Sequence, residues 1–222
     1  MVERVRTSFS DRRIAVVASL GVLSLFVLAM IVARVVYTRT FDHAGIAWNL
    51  FLAWIPFGLA LVVYARARWL SRPSLLALGG LWLLFFPNAP YIVTDLKHIG
   101  DAGGIPVLYD VLFFSAAAWT GLLLGLTSLF LVHAVARRLL GAVSAWGLVV
   151  GVLALSSFGI YLGRVQRWNS WDVFIRPEAL LGEIANGFHA APLALTVLLT
   201  SFLLASYLVF YSLARMSALI RD

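Results

Sequence analysis

Cysteine is absent, which excludes disulfides, thiolate metal sites and thiol catalysis and removes any clue to the redox compartment. Charge is scarce as well. Charged residues make up 12% of the chain, about half the share of an ordinary soluble domain, and acids number 10 against 17 lysines and arginines. No His-Glu-x-x-His, nucleophile elbow or phosphate loop occurs, so none of the chemistries those motifs announce is signalled. There is no internal repeat and no low-complexity segment. No proline pair in the last apolar run mirrors the pair in the third, as an inverted-repeat transporter would show.

What fills the chain is apolar: 62% of its residues are hydrophobic and its mean hydropathy is +0.96. That describes a polytopic membrane protein, and 222 residues give room for about six spans of about 20 residues each with short loops. The reading is an all-α transmembrane helix bundle forming one domain over residues 1–222. The net charge of +7 could suggest nucleic acid, but the arginines flank apolar segments and form no basic stripe with interleaved aromatics. They read as topology signals, and no nucleic-acid partner is expected.

The predicted spans are 14–33, 44–64, 74–94, 106–131, 145–163 and 192–213. The first is long for a signal-peptide core and lacks a small-residue cleavage site, so it is read as a span. Between the last two, Leu180, Leu181, Ile184 and Phe188 recur at helical spacing opposite Glu178 and Glu183, predicting a short amphipathic surface helix over 177–188. With both termini cytoplasmic, the inner side carries Arg4, Arg6, Arg12, Arg13, Arg66, Arg68, Arg72, Arg137, Arg138, Arg215 and Arg221. Only Arg34, Arg39, Lys97, Arg164, Arg167 and Arg176 then lie outside, which satisfies the positive-inside rule. Ala117, Gly121 and Gly125, then Gly147, Gly151, Gly159 and Gly163, form small-residue faces expected to pack helices closely within the bundle.

The stretch around which the rest is organised runs from Trp82 to His98. Proline lacks an N–H and clashes with the carbonyl four residues back, so Pro87 and Pro90 should free the carbonyls of Leu83 and Phe86. Irregular backbone at membrane depth is tolerated only where protein or a wet cavity encloses it, which makes Asn88 and its neighbours candidates for a walled site. Asp95 and His98, three apart, would share a face of a continuing helix, where carboxylate and imidazole can share a proton or a metal.

Asp95 and His98 are accordingly the candidate catalytic pair, with Asp95 or His98 as general base. A divalent metal such as zinc or manganese held by Asp95, His98 and Asp110 is chemically admissible but not favoured, because the spacing is not diagnostic. His43, Asp172 and His189 are expected on the same side. Asp110 also suits a helix N-terminus on dipole grounds alone. Arg164 and Arg167, again three apart, could clamp a phosphate or carboxylate; alternatively Arg164 pairs with Asp95 or Asp110 and pins helices together. Asn88, Tyr91, Thr94, Asn169, Trp171 and Asp172 complete the candidate substrate-binding set. His133, beside arginines on the inner side, is read as a loop or helix-end residue.

Two of these segments, Phe86-Pro-Asn-Ala-Pro-Tyr-Ile-Val-Thr-Asp-Leu96 and Tyr161-Leu-Gly-Arg164 with Trp168-Asn-Ser-Trp-Asp172, resemble the signature segments of a bacterial integral-membrane family, domain of unknown function 1361. The resemblance implies a multi-span protein of the bacterial cytoplasmic membrane, and it brings no catalytic residue. The leading functional reading is an outward-facing polar pocket that binds or processes an anionic substrate such as a lipid head group. A small transporter or channel, and a non-catalytic scaffold subunit, are the alternatives. Membrane lipids are the expected partners.

Overall fold

The computed structural model describes residues 2–101, 104–165, 168, 175–179, 182 and 190–219. It is all-α, with no strand among the described residues. Helix α1 (Val2–Thr38) is followed by α2 (Gly45–Arg66), α3 (Arg72–Phe85), the four-residue α4 (Asn88–Tyr91) and a 3-10 helix (Ile92–His98). Then come α5 (Val107–Leu140), α6 (Ala142–Val165) and α7 (Ala190–Leu219). Among the described residues, six stretches are long and apolar enough to cross a membrane: 14–38, 45–66, 72–98, 107–140, 142–165 and 192–216. The chain is a multi-pass membrane protein.

Helix α5 is the axis of the bundle. It packs against α1, α2, α4, the 3-10 helix and α6, and half of its most apolar window is buried, against 11% for α7, which leans mainly on α6. One apolar core joins α1, α2, α4 and α5 through Val27, Ala53, Phe57, Ala89 and Phe113. A second joins α3, α5, α6 and α7 through Trp82, Phe86, Leu129, Leu153 and Leu203. Polar side chains tie the same helices at points where an unpaired donor would be expensive. Trp82 Nε1 donates to Ser128 Oγ (2.7 Å), and Ser128 in turn donates to the Pro56 carbonyl (3.1 Å), joining α3, α5 and α2.

Helix ends follow local chemistry. Ser71 caps α3, its hydroxyl accepting from the Ser74 amide, with Pro73 in the first turn where its missing N–H is no loss. Several helices outrun their expected spans, α1 and α5 with consequences for the residues they carry. Helix α1 continues through Arg34 to Thr38, because Val35 and Val36 extend its apolar face. Helix α5 continues past 131 to Leu140 and is separated from α6 by Gly141 alone, whose φ of +84° makes the turn that glycine permits. His133 is therefore no helix-end residue but lies inside α5, wholly buried. The expected surface helix over 177–188 falls largely outside the described residues.

The proline-broken stretch takes its shape from its neighbours. The Phe86 carbonyl, which Pro90 cannot reach, accepts from the Ala89 amide (3.1 Å), and Asn88 Nδ2 donates to the Phe85 carbonyl (2.9 Å). Two glycine faces hold it from either side. A methyl group on Gly121 of α5 would come within 2.5 Å of the Ala89 carbonyl oxygen, and one on Gly125 within 3.3 Å of the Ala89 Cβ. From α6, Gly159 faces Pro87 and Gly163 faces the Tyr91 ring. The small-residue series thus serves packing within the bundle at these four positions.

Candidate functional site

The end of the bundle where α1 finishes, α2 begins and the 3-10 helix turns out gathers Asp42, Asp95, Asp101 and Asp110; it is called the carboxylate end below. The opposite end carries Arg66, Arg68, Arg137, Arg138 and Arg215 and is called the arginine end. Three arrangements build the carboxylate end.

The first is an ion pair between Arg34 of α1 and Asp110 in the first turn of α5, with both side chains at most 2% exposed. Asp110 also accepts from the Gly100 amide (3.1 Å), so it fixes the turn that follows the 3-10 helix. Its position near a helix start is favoured by the dipole, but the partner that matters is Arg34.

The second centres on Arg164 in the last turn of α6. Its Nε donates to Thr94 Oγ1 (2.7 Å), a terminal nitrogen donates to Asp95, and its guanidinium lies 4.4 Å from the centre of the Tyr91 ring. Thr94 is held in turn by donating to the Tyr91 carbonyl (2.6 Å), and Asn49 of α2 donates to the other oxygen of Asp95 (3.3 Å). Asp95 is 4% exposed. Four of the residues expected at the site, Tyr91, Thr94, Asp95 and Arg164, are thus brought into one connected group. Asn88 lies a turn earlier, turned to the backbone of Phe85. Arg167, Asn169, Trp171, Asp172 and His189 lie outside the described residues.

The third arrangement involves residues on the far side of Asp95. His98 Nδ1 shares a hydrogen bond with Asp101 (2.7 Å), and its ring meets that of His43 edge-on with centroids 5.4 Å apart. His43 sits in the short link between α1 and α2 at φ +66°, a backbone region an imidazole rarely adopts. Its Nδ1 is buried and has no partner among the described residues. Burial first, then the charges of Arg34 and His98, hold the His43 imidazole below its ordinary pKa of 6.5 and so keep it neutral. One ligand atom from each of His43, His98 and Asp101 lies within 4.8 Å of the other two. Of the expected metal set, Asp95 and Asp110 are each engaged by an arginine, and only His98 belongs to this group.

Beside it a cavity of about 400 Å³ is lined by Arg34, Tyr37, Thr38, Thr40, Asp42 and Asp101. Asp101 therefore faces both the histidines and the cavity. Thr40 donates to Asp42 (2.8 Å) and shares a hydrogen bond with Thr38, so one wall is a run of hydroxyls and carboxylate.

Reading the sequence alone misses Arg34 and Asn49 as partners and takes Asp101 for part of a glycine-rich turn. A signal for Asp101 exists: it stands three residues beyond His98, the spacing that placed Asp95 with His98. The backbone decides between them, because the 3-10 helix ends at His98 and the chain then bends back.

A family model whose description is "Protein of unknown function (DUF1361)" matches residues 48–206, from the first turn of α2 into α7. The match takes in Asp95, His98, Asp101, Asp110 and Arg164, while Arg34 and His43 precede it. No curated protein and no solved structure matches the chain.

Proposed function

The chain belongs to the family of unknown function DUF1361, and since that membership carries no activity we propose, from its own residues, that this membrane protein holds a divalent transition metal at its carboxylate end and through it binds the anionic head group of a lipid. The observation that carries the reading is the approach of His43, His98 and Asp101 to within 4.8 Å. Two imidazoles and a carboxylate suit zinc or manganese, and three protein ligands leave a coordination position open. A tetrahedral zinc site sets its ligand atoms about 3.4 Å apart, so the group needs only a small closure. The buried, unpartnered Nδ1 of His43 and its neutral imidazole fit the role of a ligand in waiting.

The metal also resolves an electrostatic difficulty. An anion clamped directly by Arg164 would compete with Asp95 for a largely buried guanidinium and leave that carboxylate uncompensated, whereas Arg34 Nη2, buried and without a partner among the described residues, can add a donor while Nη1 keeps Asp110. A metal beside the cavity supplies positive charge without that exchange and would polarise a phosphoryl oxygen at its open position. Tyr37 then offers its hydroxyl to a remaining oxygen, while Thr38 and Thr40, whose hydroxyls donate to the Arg34 carbonyl and to Asp42, and the two arginine pairs hold the walls. By the bias of lysine and arginine along the chain, this end faces away from the cytoplasm.

The scaffold alternative draws support from those same sealed ion pairs, which join α1 to α5 and α6 to the broken stretch. Metal binding separates the two readings. Full-length protein in nanodiscs, stripped with chelator and titrated with Zn²⁺ or Mn²⁺, should take up one ion per chain by metal mass spectrometry. His43→Ala and His98→Ala should each weaken uptake by about tenfold or more. Uptake that is absent in the wild type, or undiminished in either variant, overturns the metal site. Uptake without any metal-dependent retention of phosphatidylglycerol in native mass spectra retains the metal and overturns the head-group ligand.

A further inference from the structure

At the arginine end, α5 and α7 flank a second, half-open cavity, of about 270 Å³, lined by His133, Arg137, Arg138, Tyr211 and Arg215 among others. Its charge is of one sign. Arg137 and Arg215, from different helices, both donate to the hydroxyl of Tyr211, the latter at 3.2 Å. Arg138 leans over the Tyr64 ring, 5.3 Å from its centre. Among the described residues no carboxylate forms an ion pair with any of the three. Arginines that only mark topology would spread apart in the interface. Two guanidiniums drawn to one neutral oxygen repel each other, and the arrangement is relieved when an anion sits between them.

A second observation points the same way. His133, which lines this cavity, is 0% exposed; its Nδ1 shares a 2.7 Å hydrogen bond with Tyr207 Oη, and its Nε2 is buried with no partner among the described residues. Trp146 of α6 packs edge-on against His133, with centroids 4.7 Å apart, and against Tyr207 and Tyr211, so the polar groups are fixed by a rigid aromatic wall. An unpaired buried nitrogen beside converging guanidiniums is what a pocket built for anionic oxygens contains.

We propose that this cavity is a phosphate-binding site, with Arg137, Arg138 and Arg215 as the charged donors and the His133–Tyr207 pair positioning Tyr211 between them. The phosphate belongs either to an anionic phospholipid or to a soluble compound. Lipid is close at hand, because Leu213 and Met216 beside Arg215 are exposed apolar side chains.

The test uses full-length protein with chelator present, so that no metal at the other end contributes. Native mass spectrometry after extraction from nanodiscs of equal phosphatidylcholine and phosphatidylglycerol reads the lipid arm. Inorganic phosphate added in phosphatidylcholine nanodiscs, followed by the thermal midpoint, reads the soluble arm. Retained phosphatidylglycerol that falls about tenfold or more in Arg137→Gln/Arg215→Gln supports a lipid phosphate; a rise of midpoint with inorganic phosphate in the wild type supports a free one. Arg72→Gln removes an exposed arginine of the same end that does not line the cavity, and it should leave both readouts unchanged. An equal loss in Arg72→Gln, or no response in either arm by the wild type, overturns the proposal; the wild-type arms need no variant to fold.

Discussion

Gly121 of α5 touches the backbone of Ala89 so closely that no side chain larger than hydrogen fits between the central helix and the proline-broken stretch. The atom in the way is a carbonyl oxygen, which cannot swing aside as a flexible side chain would.

Gly121→Ala is therefore expected to destabilise the protein by about 1–3 kcal/mol, at the upper end of that range because backbone must shift. Gly147→Ala on α6, where an added methyl meets nothing within 4 Å, should be neutral or slightly stabilising through helix propensity. Thermal or denaturant unfolding of the two variants in the same detergent checks the contrast, and equal behaviour would refute the glycine-cradle account.

Asp110→Asn is expected to cost about 3–5 kcal/mol, since it leaves the Arg34 guanidinium charged, buried and without its carboxylate. The double replacement Arg34→Met/Asp110→Leu should recover most of that loss, because the cost lies in the orphaned charge and not in the absence of the pair. Unfolding of the three proteins side by side decides it: a double variant as unstable as Asp110→Asn would mean the pair itself holds α1.

The depressed pKa of His43 gives a pH dependence with a definite sign. The unfolded chain takes up this proton before the folded one does, so the stability contributed by neutral His43 is complete above pH 6.5 and is lost as pH falls through its lower folded-state value. The neighbouring charges are Arg34 and His98, which lower it, and Asp110 and Asp42, which raise it. A bound metal needs the neutral ring, so acidification through the same window should release it. His43→Asn should flatten the acid limb of the stability curve, and a curve unchanged by that substitution would contradict the assignment.

The bundle could be read from sequence because spans are set by length and hydropathy, and the broken stretch because proline leaves the same mark in any context. The carboxylate end was legible by composition, and Arg164 could be named as a partner for Asp95 or Asp110, but Arg34 could not. Asp95 stands near Arg164 because α6 ends beside the 3-10 helix, and Arg34 meets Asp110 because α1 runs one turn further than its most apolar residues suggest. Neither relation leaves a periodic trace. His133 was misplaced for a related reason: arginines at 137 and 138 look like a loop after a span, whereas they are the last turn of a longer helix closed by Gly141.

Arg34 and Asp110 lie 76 residues apart in the chain. During synthesis the arginine enters the bilayer well before its carboxylate exists, and it must stay in the head-group region until α5 arrives. Helix α1, which otherwise contacts little but α5, can settle only once the third and fourth spans have been threaded. Assembly thus has an order written into one ion pair: α1, made before α5, is locked in place only after it.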